Sequence, residues 1–202
     1  MRLYHTQTSP FVRKVMVLAH ETGLASRIEP THLRPMPMKA DPVLSKENPL
    51  SKIPVLVTDD GPLYDSHVIC EYLDSLHDGP KMIPSSGPAR FRALRVEALC
   101  DGILEAAILV FYERTQRPSE LHWSAWIDGQ TQKAEQALDR LDEDAKNFGD
   151  AIDLGQICAG VTVGWLEFRN VLGDVRAKRP HLAKWYARFS ERPSMKATMP
   201  VA

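Results

Sequence analysis

The sequence predicts an α/β domain followed by an all-helical one. Up to about residue 78, short strand-like runs alternate with helical ones. Two turn-rich clusters, Gly79-Pro80 and Pro84-Ser85-Ser86-Gly87-Pro88, then break the chain. Beyond them, apolar residues recur at three- and four-residue spacing, the period of a helix face. The expected division is residues 1–78, a linker over 79–88, and a helical domain over 89–202.

Each element has its own signal. Arg2-Leu3-Tyr4-His5 reads as a strand, Pro10 to Glu21 as a helix closed by Gly23, and Arg27 to Thr31 as a second strand. The stretch from His32 to Asn48 carries Pro35, Pro37 and Pro42, which predicts irregular chain with one short helix near Lys39 to Lys46. It serves either as a plain long loop or as one wall of a ligand site. Val55 to Thr58 and Pro62 to Tyr64 flank Gly61 as a hairpin, and Ser66 to Leu76 reads as a helix. The order βαβ then ββα is thioredoxin-like. In the second half, Val96, Leu99, Cys100, Ile103, Leu104, Ala107, Ile108 and Phe111 form one helical stripe, and Trp123, Ile127, Gln130, Ala134, Ala137, Leu138 and Leu141 another. They predict two long antiparallel helices. Leu154 to Phe168 is apolar or small on most faces, as a helix in the middle of a bundle must be. Asp150 as N-cap, with Asp153 three residues on, has the form of a capping box before it.

Composition narrows the function classes. Hydrophobic residues make up 44% and charged residues 25% of 202, so a globular protein is expected. The formal net charge is −1 with no basic block, which argues against nucleic acid as a main partner. No apolar stretch has the form of a signal-peptide core or approaches membrane-spanning length, so the expected location is cytoplasmic, away from any membrane. Cys70, Cys100 and Cys158 form neither a pair motif nor a zinc spacing; buried free thiols are expected and no metal.

The segment Asn48 to Leu56, followed by Leu63-Tyr64-Asp65-Ser66, describes a clamp for a small peptide. Pro54 opens the run Val55-Leu56-Val57, where a strand tolerates proline. It forces Ile53 into an extended conformation. With a cis Ile53-Pro54 bond, the Ile53 amide and carbonyl turn outward and can pair with an extended peptide. Ser66, beside Asp65, supplies a helix N-cap whose free amides and positive dipole end can receive a carboxylate. Lys52 adds a cation, so a small acidic peptide is the expected ligand.

This pattern resembles the glutathione-binding half of the glutathione transferase family. There, the residue before a cis-proline pairs with the cysteinyl part of glutathione and an acidic-serine pair holds the γ-glutamyl end. The matching residues here are Ile53-Pro54 and Asp65-Ser66, with Lys52 where the family often has a lysine or glutamine near the glycyl carboxylate. The resemblance extends to Thr8-Ser9-Pro10-Phe11-Val12-Arg13-Lys14 and to Asp150-Ala151-Ile152-Asp153-Leu154, where family members usually carry Ser or Thr in place of Asp150. It implies the glutathione transferase fold, a homodimer, and glutathione as co-substrate with no metal or redox cofactor.

If the chain is catalytic, the reactive centre belongs at Thr8-Ser9-Pro10. Pro10 suits a first helical turn, which places Ser9 at the N-cap. A ligand thiol brought there would meet a hydroxyl donor and the helix dipole, both of which favour thiolate. Ser9 has two readings, a plain cap or a thiolate-stabilising donor, and Thr8 and Tyr4 are the competing hydroxyls. Omega-type and glutaredoxin-like relatives carry a cysteine at the position of Ser9, and glutaredoxins often a second at Val12. Lacking both, this chain has no thiol there for a mixed disulfide. Conjugation stays open to it, because there the ligand itself brings the sulfur.

For a small hydrophobic electrophile, the candidates are Phe11, Phe111, Tyr112 and Trp165, with Arg114 to orient a polar group. Core packing is the competing role of each aromatic. Met36 and Met38 could close such a pocket from the loop, and His67 could touch the peptide or sit idle at the surface. The expected function is conjugation of glutathione to small hydrophobic electrophiles. The alternative is a non-catalytic member of the same fold, a ligand carrier or an RNA polymerase-associated protein like the stringent starvation protein. Retention of Lys52, Ile53-Pro54 and Asp65-Ser66 favours a working peptide site.

Overall fold

The computed structural model describes residues 1–201 and divides them into two compact units. The first holds Met1–Ile83 together with residues 193 onward, and the second holds Pro84–Arg192. In the first unit, β1 (Arg2–His5), α1 (Pro10–Glu21), β2 (Glu29–His32), α2 (Leu44–Glu47), β3 (Val55–Thr58), β4 (Gly61–Leu63) and α3 (Ser66–Ser75) follow in chain order. The strands form one mixed sheet in the order β2-β1-β3-β4, with β1 parallel to β2 and antiparallel to β3. Pro30 and Pro62 both fall on edge strands, where a missing N–H breaks no ladder.

Helix period builds the core of this unit. Val15, Leu18 and Ala19 of α1 and Ile69, Cys70 and Leu73 of α3 are buried, and these two helices pack on each other. Leu3 and Leu56, opposite one another on β1 and β3, are fully buried in the sheet. Gly23, at φ +73°, takes the left-handed place just beyond α1 that favours glycine.

The second strand lies at Glu29–His32 rather than Arg27 to Thr31, and the second hairpin strand at Gly61–Leu63 rather than Pro62 to Tyr64. Two further boundaries differ from the sequence expectation for local reasons. The short helix covers only Leu44–Glu47, because the Asp41 carboxylate accepts the amides of Val43 and Leu44 at 2.8 and 2.9 Å and turns the chain at Pro42 first. The first unit also runs on to Ile83 rather than ending at 78. Buried Asp74 is the cause: its carboxylate accepts the amides of Met82 and Ile83 at 2.8 and 3.0 Å and stitches that loop to the end of α3.

The second unit contains α4 (Gly87–Gln116), α5 (Ser124–Ala145), α6 (Leu154–Arg169) and α7 (Pro180–Phe189). α4 packs along both α5 and α6, and every residue of α6 from Leu154 to Leu166 is buried. Gly155 permits the close approach of α6 to α4: a Cβ there would lie 2.9 Å from Val96 Cβ and 3.0 Å from the Ala93 carbonyl oxygen. Arg179, 2% exposed, ties α7 to α5 through Glu135 at 2.6 Å and Asp139 at 2.7 Å, while buried Asp142 accepts the Leu182 amide.

The cap of α6 is Asp153, not Asp150. The Asp153 carboxylate accepts the Gln156 amide at 2.9 Å, whereas Asp150 is exposed three residues upstream. A cap must flank the first helical turn, and that turn begins at Leu154. Burial pushes the Asp153 carboxyl above the usual carboxylate range, against the pull of its bonds from the Gln156 and Gly155 amides.

The last helix, α8 (Pro193–Ala197), belongs with the first unit and not with a helical domain running to the end of the chain. Arg13 of α1 donates to the Met195 carbonyl at 3.1 Å and Ser194 donates to Glu21. No described helix is long and apolar enough to cross a membrane. Cys70, Cys100 and Cys158 are all buried and none is in a disulfide.

Candidate functional site

The clamp has the backbone form read from the sequence. Ile53-Pro54 is cis, Pro54 is buried, and β3 starts at the next residue. Ile53 is half-buried, and among the described residues no hydrogen bond engages its N–H or C=O. A peptide edge with a free donor and a free acceptor can take an extended ligand by strand-like pairing. Lys52 stands exposed beside it.

At the start of α3 the cap is Asp65, which corrects the assignment of that role to Ser66. The Asp65 carboxylate accepts the His67 amide at 3.1 Å, and Ser66 is already the first helical residue, 3% exposed. The cap oxygen must come from the last non-helical residue, so it falls one position earlier than the serine. The amides of Ser66 and Val68 have no acceptor within the helix, which suits a carboxylate at this dipole end.

Ser9 is the N-cap of α1, its Oγ accepting the Val12 amide at 3.3 Å. As acceptor in that bond the hydroxyl keeps its own proton, so it caps and can still donate. Thr8 is half-buried beside it. Tyr4 is 5% exposed in a core cluster with Leu44 and Val55, with the Arg2 guanidinium 5.3 Å from its ring centre. Its ring is committed to packing.

Of the aromatic candidates, Phe111 brings three together in the second unit: its ring lies 6.4 Å from Trp165, edge-on, and 5.8 Å from Tyr112. Arg169 lies 4.8 Å from the Phe111 ring centre. Arg114 spends a guanidinium N–H on the Val171 carbonyl at 3.0 Å, anchoring the chain after α6. Phe11 belongs to the first unit, with Lys14 at 5.9 Å from its ring. Met36 and Met38 are exposed.

Two features of this unit were not singled out from the sequence. Asn48, 2% exposed, uses its side-chain amide to hold the loop that leads into Ile53. His5 and His32 end adjacent parallel strands with rings 5.7 Å apart, and burial together with the neighbouring His32 pushes His5 below the usual imidazole range. The His5 pair comes from the β1–β2 register. Asn48 opens the segment read as the clamp, but nothing in the sequence assigns its side chain a role.

Comparison with known proteins places these features in a family. The glutathione S-transferase N-terminal domain matches residues 3–81, and the glutathione S-transferase C-terminal domain matches residues 124–188. The uncharacterized GST-like protein YibF of Escherichia coli is 33% identical over 204 aligned residues, covering 99% of this chain and 98% of that protein. Glutathione S-transferase U17 of Arabidopsis thaliana is 29% identical over 78% of this chain and 73% of its own. Among solved structures, a glutathione transferase family member from Pseudomonas fluorescens with bound glutathione superposes with a TM-score of 0.96, at 43% identity over 100% of this chain and 99% of that one. A glutathione S-transferase from Methylobacillus flagellatus, also with glutathione bound, gives 0.87 at 37% identity over 99% of both chains. The chain belongs to the glutathione S-transferase family.

Proposed function

We propose that this protein is a glutathione transferase that adds glutathione thiolate to small hydrophobic electrophiles. The observation that carries the reading is the unpaired Ile53 edge next to a cis-proline, in the same unit as the Asp65-capped start of α3. The cysteinyl residue of glutathione pairs with the Ile53 amide and carbonyl. The γ-glutamyl end sits at Asp65, Ser66 and the free amides of α3, and Lys52 faces the glycyl carboxylate. Glutathione in related structures supports the choice of ligand.

In this reading the thiol sits at the Ser9 hydroxyl. There the donated hydrogen bond and the dipole of α1 favour the thiolate, and the held geometry replaces a bimolecular encounter. Because Ser9 bonds to Val12 as an acceptor, the two tasks do not compete for one proton. Thr8 is the neighbouring hydroxyl that could share the role. In the second unit Phe111 and Tyr112, packed against buried Trp165, are the apolar side chains this reading assigns to the electrophile, with Arg114 as its polar contact; Phe11 is the aromatic candidate of the first unit. We place the protein in the cytoplasm as a homodimer, following the family. Calorimetric titration with glutathione, followed by a conjugation assay with a chloroaromatic electrophile, tests the proposal. Saturable binding with turnover supports it; binding without turnover identifies a non-catalytic carrier, and no binding removes the reading.

A further inference from the structure

We infer that Asn48 is a positioning residue for glutathione, acting through the Lys52–Ile53 peptide to aim the Ile53 N–H at the ligand. The inference rests on the glutathione reading above. Asn48 Nδ2 donates to the Lys52 carbonyl at 2.9 Å, and Oδ1 accepts the Leu50 amide at 3.0 Å. These partners fix which way the side-chain amide is turned, since an N–H must meet an oxygen and a carbonyl must meet a nitrogen. The Asn48 main chain is held as well, its N–H on the Leu44 carbonyl and its C=O on the Ser51 amide, both at 2.8 Å. Ser51, left-handed at φ +52°, receives the Asp41 amide on its Oγ at 2.7 Å. The loop is thereby fastened at both ends around one buried side chain.

The consequence lies in the peptide plane. Among the described residues the cis bonds are Ile53-Pro54 and Tyr64-Asp65, so Lys52–Ile53 is trans. In a planar trans peptide the C=O and the N–H point to opposite sides. Because the Lys52 carbonyl is drawn inward to buried Asn48, the Ile53 N–H is directed away from the interior, where it has no partner among the described residues. Asn48 thus presets a donor for the peptide ligand without touching it. Preorganisation of this kind spares the ligand the cost of ordering the loop.

The test uses S-methylglutathione, which keeps the peptide but removes the thiol from the measurement. In Asn48→Asp the size and the Leu50 acceptor remain, but a carboxylate oxygen faces the Lys52 carbonyl and turns that peptide away; Asn48→Ala removes both bonds. We expect the dissociation constant to rise about tenfold in each. The KM for glutathione should rise in step, while kcat at saturating glutathione and its pH profile stay at the parental values. A folded Asn48→Asp protein with parental affinity overturns the inference. So does unfolding of both variants, since Asn48 would then hold the fold rather than aim a donor. If the parent itself binds no glutathione, the proposed function falls first and this inference with it.

Discussion

Replacing Ser9 with alanine removes a cap and a proposed thiolate donor at once, and the geometry lets the two losses be separated. The Val12 N to Ser9 Oγ distance of 3.3 Å lies beyond the usual N–H···O range. The cap should therefore contribute near the low end of about 0.5–2 kcal/mol of stability. A hydrogen bond donated to an ionised sulfur contributes about 1.5–3 kcal/mol. At about 1.36 kcal/mol per pKa unit, its loss raises the thiol of bound glutathione by about 1–2 units. A lowered thiol pKa keeps the thiolate populated as pH falls, so Ser9→Ala should move the acid limb of the rate profile to higher pH. Below that limb, conjugation should slow about ten- to a hundredfold, and well above it the two proteins should converge. Affinity for glutathione, set by the clamp, should hardly change. Thiolate absorbance of the bound ligand against pH, with steady-state rates over the same range, gives both numbers. An unchanged thiol pKa and rate in Ser9→Ala, with Thr8→Val impaired, would transfer the role to Thr8 and leave Ser9 a cap. Ser9→Cys should add thiol-exchange activity, because the fixed sulfur then allows a mixed disulfide with glutathione.

Other expectations bear on binding and on packing. Asp65→Ala and Ser66→Ala should each weaken glutathione binding by about 1–3 kcal/mol by calorimetry. Asp65→Ala should also lose about 1 kcal/mol of folding stability with its bond to His67, a loss Ser66→Ala should not share; unchanged affinity in both removes support for this part of the site. Gly155→Ala should destabilise by about 1–3 kcal/mol, since the new methyl meets Val96 and the Ala93 backbone within 3.0 Å. For a chain of this length that is a fall of about 2–12 °C in Tm, and an unchanged melting curve would show that α4 and α6 can separate freely. Asp153 is raised by burial, so its protonation favours the folded state, and this contribution is lost as pH rises through its folded pKa from the ordinary carboxylate range. Asp153→Asn keeps a capping oxygen and should flatten that part of the stability profile; urea melts at pH 4 to 7 that retain the parental slope would refute the assignment.

How much of this was legible in the sequence follows how local each determinant is. Strand β1 and helix α1 were read with their observed bounds, Arg2–His5 and Pro10–Glu21, because alternation, a proline at the first turn and Gly23 beyond the end are all signals of a few residues. The clamp was legible for the same reason: a proline opening a strand constrains its own neighbour. Errors arose where two residues of the same chemistry competed for one role. Asp65 and Ser66, or Asp150 and Asp153, can all cap a helix, and the choice between them turns on where the first helical turn begins.

The sequence by itself determined the period of each element, the break between the α/β and helical parts, and the proline that opens β3 with the acidic-serine pair beyond it, since these are short-range consequences of side-chain shape and backbone freedom. That the Ile53-Pro54 bond is cis came from the structure. Only the tertiary structure decided that residues 193–201 return to the first unit through Arg13 and Glu21, that Asp74 draws Ile83 into that unit, and that Arg179 binds α7 to α5. It also decided that the Tyr4 ring packs with Leu44 and Val55, and that the buried Asn48 side chain holds the Lys52 carbonyl. Each of these depends on which groups a folded chain brings within hydrogen-bond or van der Waals reach, a distance that residue order alone does not fix.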